Sequence, residues 1–166
     1  MHNLKYLDSY EVVTLVKTCS QGLKALDRNS VMIYTALRCG LRAQELLNLT
    51  LQDLDFDHRT VRVQTLKRGQ PRTVPAPDAL FAYAQTVTGT KIFPISYPRL
   101  VQIWDIFRPS RKKFHSLRHT FALEVYRRRK DINLVKHVLG HKSLSSTTVY
   151  LDEAYSLTEL KSAFGL

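Results

Sequence analysis

The stretch Val61-Arg-Val-Gln-Thr-Leu-Lys-Arg-Gly-Gln-Pro-Arg-Thr-Val74 is the one place where the hydrophobic period of this chain changes, and it decides the fold class. Apolar and polar residues alternate over 61–65 and again over 72–74, the period of strands with one buried face. Between them Lys67-Arg68-Gly69-Gln70 is turn chemistry, so the stretch reads as a β-hairpin with basic residues at its tip. On both sides the period is helical. Asp8-Ser9 ahead of Val12, Val13, Leu15 and Val16 reads as a capped amphipathic helix, 27–39 as a second one stopped by Gly40, and Leu46, Leu47 and Leu49 fall on a short third. After the hairpin, Pro77 starts a helix through Tyr83 and Pro98 one through Phe107, since a first turn tolerates proline's missing N–H. A basic linker over 108–113 leads to three more helices at 116–129, 132–139 and 145–150, the middle one ending at Gly140, and 157–164 reads as a short amphipathic tail. The expected fold is mainly α with a small antiparallel β-hairpin, an α+β arrangement around one core.

A length of 166 residues, 44% hydrophobic and 23% charged, fits one globular domain rather than a disordered chain. The balance of 25 Lys+Arg against 14 Asp+Glu leaves +11, which favours a polyanionic partner without separating DNA, RNA and anionic membrane. No apolar run has the length of a signal peptide or a membrane span, so a cytoplasmic location and no membrane partner are expected. Cys19 and Cys39 are spaced for neither a redox pair nor a zinc site and read as reduced residues of the helices.

Arginine and histidine gather in three places: Gly40-Leu-Arg42-Ala-Gln-Glu45-Leu-Leu, His115-Ser-Leu-Arg118-His119-Thr-Phe, and Leu139-Gly-His141 followed by Tyr150. Each alone has an ordinary explanation: a helical surface ion pair for Arg42 and Glu45, structural histidines for the rest. Together with a lysine on a hairpin tip they are the inventory for attacking a phosphodiester without metal. Such attack builds charge on a five-coordinate phosphorus whose oxygens the forks of Arg42 and Arg118 can bind in pairs. A tyrosine is a poor nucleophile at neutral pH and needs a base, for which a histidine is suited, and a positive field.

These boxes, in this order, resemble those of the tyrosine recombinases, the family that includes phage integrases and Xer-type chromosome-dimer resolvases. The likeness runs from about Leu7 to Leu151, with Tyr150 nine residues after His141. It implies that Arg42 and Arg118 clamp the scissile phosphate, that His115 and His141 assist by proton transfer or hydrogen bonding, and that Tyr150 becomes a 3′-phosphotyrosine. Glu45 would orient its neighbours and His119 would give structural support. The catalytic lysine falls on Lys67, although Leu66 stands where the family has glycine, which leaves Arg68 as a competitor. Tyr155 is a rival nucleophile at the wrong spacing from His141. Arg62, Arg68 and Arg72 around the hairpin and Arg111, Lys112 and Lys113 in the linker are the candidate DNA contacts.

The resemblance further implies double-stranded DNA with paired recognition sites, a homotetramer on synapsed DNA, accessory DNA-bending proteins, and no cofactor. The family's N-terminal DNA-gripping domain is not seen ahead of the first helix, as in the short fimbrial-switch invertases; an excised piece of a longer integrase would look the same. Three alternatives compete: a metal site built on His115/His119 or His137/His141, a DNA-binding regulator without catalysis, and a relaxing topoisomerase of the type IB kind.

Overall fold

The computed structural model describes residues 5–65, 70–143, 145 and 147. Along them run α1 (Ser9–Lys24), α2 (Arg28–Cys39), α3 (Ala43–Leu47), a 3-10 turn (Leu51–Asp53), β1 (Leu54–Asp55), β2 (Thr60–Val63), β3 (Arg72–Pro75), α4 (Asp78–Ala84), α5 (Tyr97–Phe107), α6 (Ser116–Arg129) and α7 (Ile132–Leu139). The mainly helical reading with a small antiparallel sheet holds, as do the helix starts as far as α7; most of the helix expected over 145–150 and all of the tail over 157–164 lie outside the described residues. Asp8 accepts from the Glu11 N–H while the Glu11 carboxylate returns to the Asp8 N–H, both at 2.8 Å, a reciprocal cap. Asp27 caps α2 through the Ser30 N–H at 2.8 Å.

The sheet has the order β1-β2-β3, antiparallel throughout. The expected hairpin is its β2-β3 half; β1, two residues long, is too short to show an alternation in the sequence. Val61 lies opposite Val74 and Val63 opposite Arg72. These four side chains are buried, while Arg62 and Thr73 face outward. Arg72 therefore stands on the inner face of the sheet.

α2 runs through the centre of the molecule, burying Val31, Met32, Ile33, Ala36, Leu37 and Cys39. Around it the main core collects Leu15 of α1, Leu46 of α3, the sheet valines, and Leu100, Ile103 and Trp104 of α5. A smaller cluster joins α6 to α7 through Ala122, Leu123, Tyr126, Val135 and Leu139, with Tyr6. α6 packs on α2 on one side and α7 on the other, so it carries its middle residues between the two clusters. Both cysteines are buried, and burial pushes each thiol up to about 12. No described helix is long and apolar enough to cross a membrane.

α2 and α7 each end on a left-handed glycine, Gly40 at φ 61° and Gly140 at φ 66°. A Cβ on Gly40 would stand 2.2 Å from the Phe121 ring of α6, and one on Gly140 would stand 2.8 Å from the Gln70 carbonyl oxygen at the base of the hairpin. Both turns need the hand and the missing side chain. They bring the C-terminal ends of two helices to the same place, beside α6.

Candidate active site

Arg118, 1% exposed on α6, sits between those helix ends. A guanidinium taken out of water must find acceptors, and it donates from Nη1 to the Gly40 carbonyl at 2.8 Å and from Nη2 to the Leu139 carbonyl at 2.5 Å. The last carbonyls of a helix have no partner within it and carry partial negative charge, so a cation satisfies them on both counts. Arg118 is thus held in place by the ends of two helices.

Glu45, 4% exposed on α3, is the counter-charge. Its Oε1 accepts from Arg42 Nη1 at 2.8 Å and Arg72 Nη1 at 3.1 Å; its Oε2 accepts from the Arg42 backbone N–H at 2.8 Å and Arg72 Nη2 at 2.9 Å. Arg118 Nη1 lies 3.7 Å from the same Oε2. Burial alone would raise the pKa of this carboxyl, but the Arg72 hydrogen bonds and charge, the Arg42 N–H and the Arg118 charge together hold it below the usual carboxylate range. Three arginines around one carboxylate leave an excess of two positive charges. Arg42, at the start of α3, keeps 37% of its side chain exposed and presents that excess to solvent.

His141 follows the Gly140 turn. Its Nε2 lies 3.3 Å from Arg118 Nη2 and its Nδ1 3.0 Å from Thr147 Oγ1. Arginine only donates, so Nε2 is the unprotonated nitrogen and Nδ1 carries the hydrogen toward Thr147. Partial burial and then the charges of Arg118, Arg42 and Arg72 push this imidazole down to about 4. His115, at the start of α6, is lowered for the same reasons, desolvation first and then Arg118 and Arg42. Its ring meets His119 edge-on with centroids 4.7 Å apart, and His119 is pushed down to about 4 by burial and the neighbouring His115. In the free protein the lowered pKa of each site histidine favours its neutral form near pH 7.

The folding thus gathers Arg42, Glu45, His115, Arg118 and His141, from separate stretches of chain, with His119 behind His115. Lys67, Arg68, Tyr150 and the rival Tyr155 lie outside the described residues. Two clefts flank His115. One, about 310 Å³, is lined by Lys5, Arg111, Lys113, His119 and their neighbours; the other, about 410 Å³, by Ala43, Tyr97, Trp104, Arg108 and Phe114 among others. Arg111 and Lys113 are exposed there, and Lys5 joins them as a basic residue that the sequence did not single out.

One candidate DNA contact is corrected, and a second has a partner within the protein. Arg72 is not on a DNA-facing surface: its side chain is 1% exposed, because strand alternation places it with Val74 on the inner face. Lys112 lines the basic cleft, but its Nζ is engaged by Glu11 and its side chain is 14% exposed. Arg62 is exposed on the outer face of the sheet, on the opposite side from Arg72. The alternation Val61, Val63, Arg72, Val74 was itself the signal for Arg72, outweighed by the expectation that a hairpin arginine is solvated. Thr147 as partner of His141 had no signal in the sequence.

The arrangement gathers three guanidiniums around Glu45 beside His115 and His141, and its family is known. Residues 5–156 match the phage integrase family, and the chain belongs to it. Tyrosine recombinase XerA of Pyrococcus furiosus is 30% identical over 164 residues, covering 88% of this chain and 56% of that protein. The catalytic domain of bacteriophage HP1 integrase superposes with a TM-score of 0.69 at 22% identity, over 98% of this chain and 95% of that one. The XerH site-specific recombinase bound to its palindromic difH substrate, in a post-cleavage complex, superposes with a TM-score of 0.74 at 21% identity, over 97% of this chain and 52% of that one. The chain spans about half the length of the curated relatives it matches.

Proposed function

We propose that this chain carries the strand-cleaving and strand-joining activity of a site-specific DNA recombinase. The observation that carries the reading is the Glu45-centred cluster of Arg42, Arg72 and Arg118, whose excess of two positive charges lies beside two neutral histidines. A phosphodiester bears one negative charge and the five-coordinate species formed on attack bears two, so the cluster matches the transition state better than the ground state. Arg42 and Arg118 bind the non-bridging oxygens. The Tyr150 phenol oxygen forms a bond to phosphorus as its proton passes to a base, His115 or His141. The bond to the 5′ oxygen breaks, and that oxygen leaves as a hydroxyl on receiving a proton from Lys67. Attack by a 5′ hydroxyl from another strand reverses these steps and releases Tyr150, so no cofactor or energy source is consumed.

Phosphate contacts along the exposed Arg111 and Lys113 extend the site. Exchange of four strands requires four nucleophiles, which a homotetramer on two paired sites supplies, with the tail carrying Leu157, Leu160 and Phe164 as a segment for docking on a neighbour and with DNA-bending proteins assisting synapsis. Such a substrate places the work in the cytoplasm, on chromosomal, plasmid or phage DNA.

The test is a denaturing gel for a covalent protein–DNA adduct on nicked duplexes, with recombinant product between two sites as the second readout. Tyr150→Phe is expected to abolish the adduct while DNA affinity stays within about twofold, since one phenol oxygen adds little to many phosphate contacts. Adduct formed by the Phe variant would reassign the nucleophile to Tyr155. Relaxed plasmid without recombinant product would assign the activity to a topoisomerase.

A further inference from the structure

Arg72 adds its charge to the Glu45 cluster, but the mechanism above gives its hydrogen bonds no task. Its fork gives one hydrogen bond to each oxygen of Glu45, at 3.1 and 2.9 Å, and its Nε donates to the Val138 carbonyl in the last turn of α7 at 2.6 Å. It therefore ties β3 to α3 and to the end of α7 at once. On the α3 side it fixes the plane of the Glu45 carboxylate, whose remaining lone pairs take the Arg42 backbone N–H and Arg42 Nη1. On the α7 side the Gly140 turn that delivers His141 is seated against it: a Cβ on Gly140 would stand 3.1 Å from Arg72 Nη1. The neighbouring Gln70 N–H reaches the Gly140 carbonyl at 3.2 Å. With its side chain 1% exposed, Arg72 has no route to DNA.

We propose that Arg72 is a positioning residue that sets the spacing between the two halves of the phosphate clamp, acting through Glu45 on Arg42 and through the end of α7 on His141. The chemistry of the clamp rests on the recombinase reading; the positioning itself does not. A purely structural role would consist of neutralising buried Glu45, which any buried cation, or removal of both charges, satisfies equally well. Positioning requires the fork: lysine keeps the charge but has neither the paired donors nor the Nε–H to Val138.

The experiment compares the full chain with Arg72→Lys and with the charge-free pair Arg72→Met/Glu45→Gln. Thermal unfolding selects whichever variant stays folded. On that variant, nitrogen-15 spectra of the free protein report the Arg42 Nε–H and the His141 ring, before and after addition of orthovanadate, a five-coordinate phosphate mimic. The expected result is that in Arg72→Lys the Arg42 and His141 signals both move from their parent positions, that in the charge-free pair, where Glu45→Gln itself alters the Arg42 partner, the His141 signal moves, and that the vanadate response of His141 is lost in whichever variant is folded. Parent-like signals with a parent-like vanadate response in either folded variant would overturn the proposal, whatever the enzymatic outcome. On randomised nicked duplexes the adduct rate is expected to fall at least about tenfold with DNA affinity within about twofold, the signature of misplacement rather than lost binding. Absence of adduct in the parent itself would count against the recombinase reading, while the spectra would still decide the role of Arg72.

Discussion

At the scale of single residues the site is governed by where protons sit. The folded-state pKa of His141, near 4, lies below the usual 6.5, and that of His119 does likewise. Between those values the unfolded chain binds protons that the native chain refuses, so stability falls as pH drops from about 6.5 to about 4 and is level above that window. Glu45, lowered below its usual 4.5, acts in the same direction at the acid end, because its native interactions are lost when it is protonated. The urea midpoint is therefore expected to be lower at pH 5 than at pH 7.5, and His141→Asn to reduce that difference; a midpoint independent of pH over this range would contradict the neutral assignment. The proton that leaves with the 5′ oxygen is a separate matter, assigned above to Lys67. Replacing the bridging 5′ oxygen by sulfur gives a leaving group that needs no proton. Lys67→Ala is expected to be severely slow on ordinary DNA and near the parent rate on the sulfur substrate, whereas equal impairment on both would make Lys67 a phosphate contact and send the search for the acid to Arg68 or His115.

At the scale of elements the clamp is assembled from helix ends. α2 and α7 stop on glycines, and Arg118 of α6 collects the freed Gly40 and Leu139 carbonyls. A substitution at Gly40 therefore acts on stability and site together. Alanine there must hold a left-handed conformation and overlap Phe121, with expected losses of about 1–2 and 1–3 kcal/mol respectively. Gly40→Ala should lower the unfolding free energy by about 2–5 kcal/mol, read from chemical denaturation. A change within about 0.5 kcal/mol would mean that the α2–α6 junction is slack and that Arg118 is held by α7 alone.

At the scale of the whole molecule the chain carries a net charge of +11, and Lys5, Arg111 and Lys113 line the cleft beside His115. Duplex binding should then weaken steeply with salt, because each neutralised phosphate releases counterions. Lys113→Ala, an exposed cation, is expected to reduce the slope of log affinity against log salt by about one, and Lys112→Ala to change it less, since Lys112 is already engaged by Glu11. The two slopes come from fluorescence anisotropy at several salt concentrations; a larger effect at Lys112 would show that DNA displaces Glu11.

The sequence by itself determined the main helices and the β2-β3 hairpin, the helix starts at Asp8 and Asp27, the glycine stops and the family to which the chain belongs. These depend on local period, on capping chemistry and on a motif spacing that survives without coordinates. Tertiary structure alone decided which charges are spent on one another. That Arg118 is buried on two helix ends, that Glu45 holds Arg72 on the carboxylate it shares with Arg42, and that Lys112 belongs to Glu11 are contacts across 21 to 101 residues of chain. No local pattern encodes them, because a buried ion pair is fixed by the packing that excludes water from it. Arg72 stands between the two cases: the strand alternation placed it inward, but only the arrival of α3 and α7 on that face supplied the carboxylate and carbonyl that make a buried guanidinium stable.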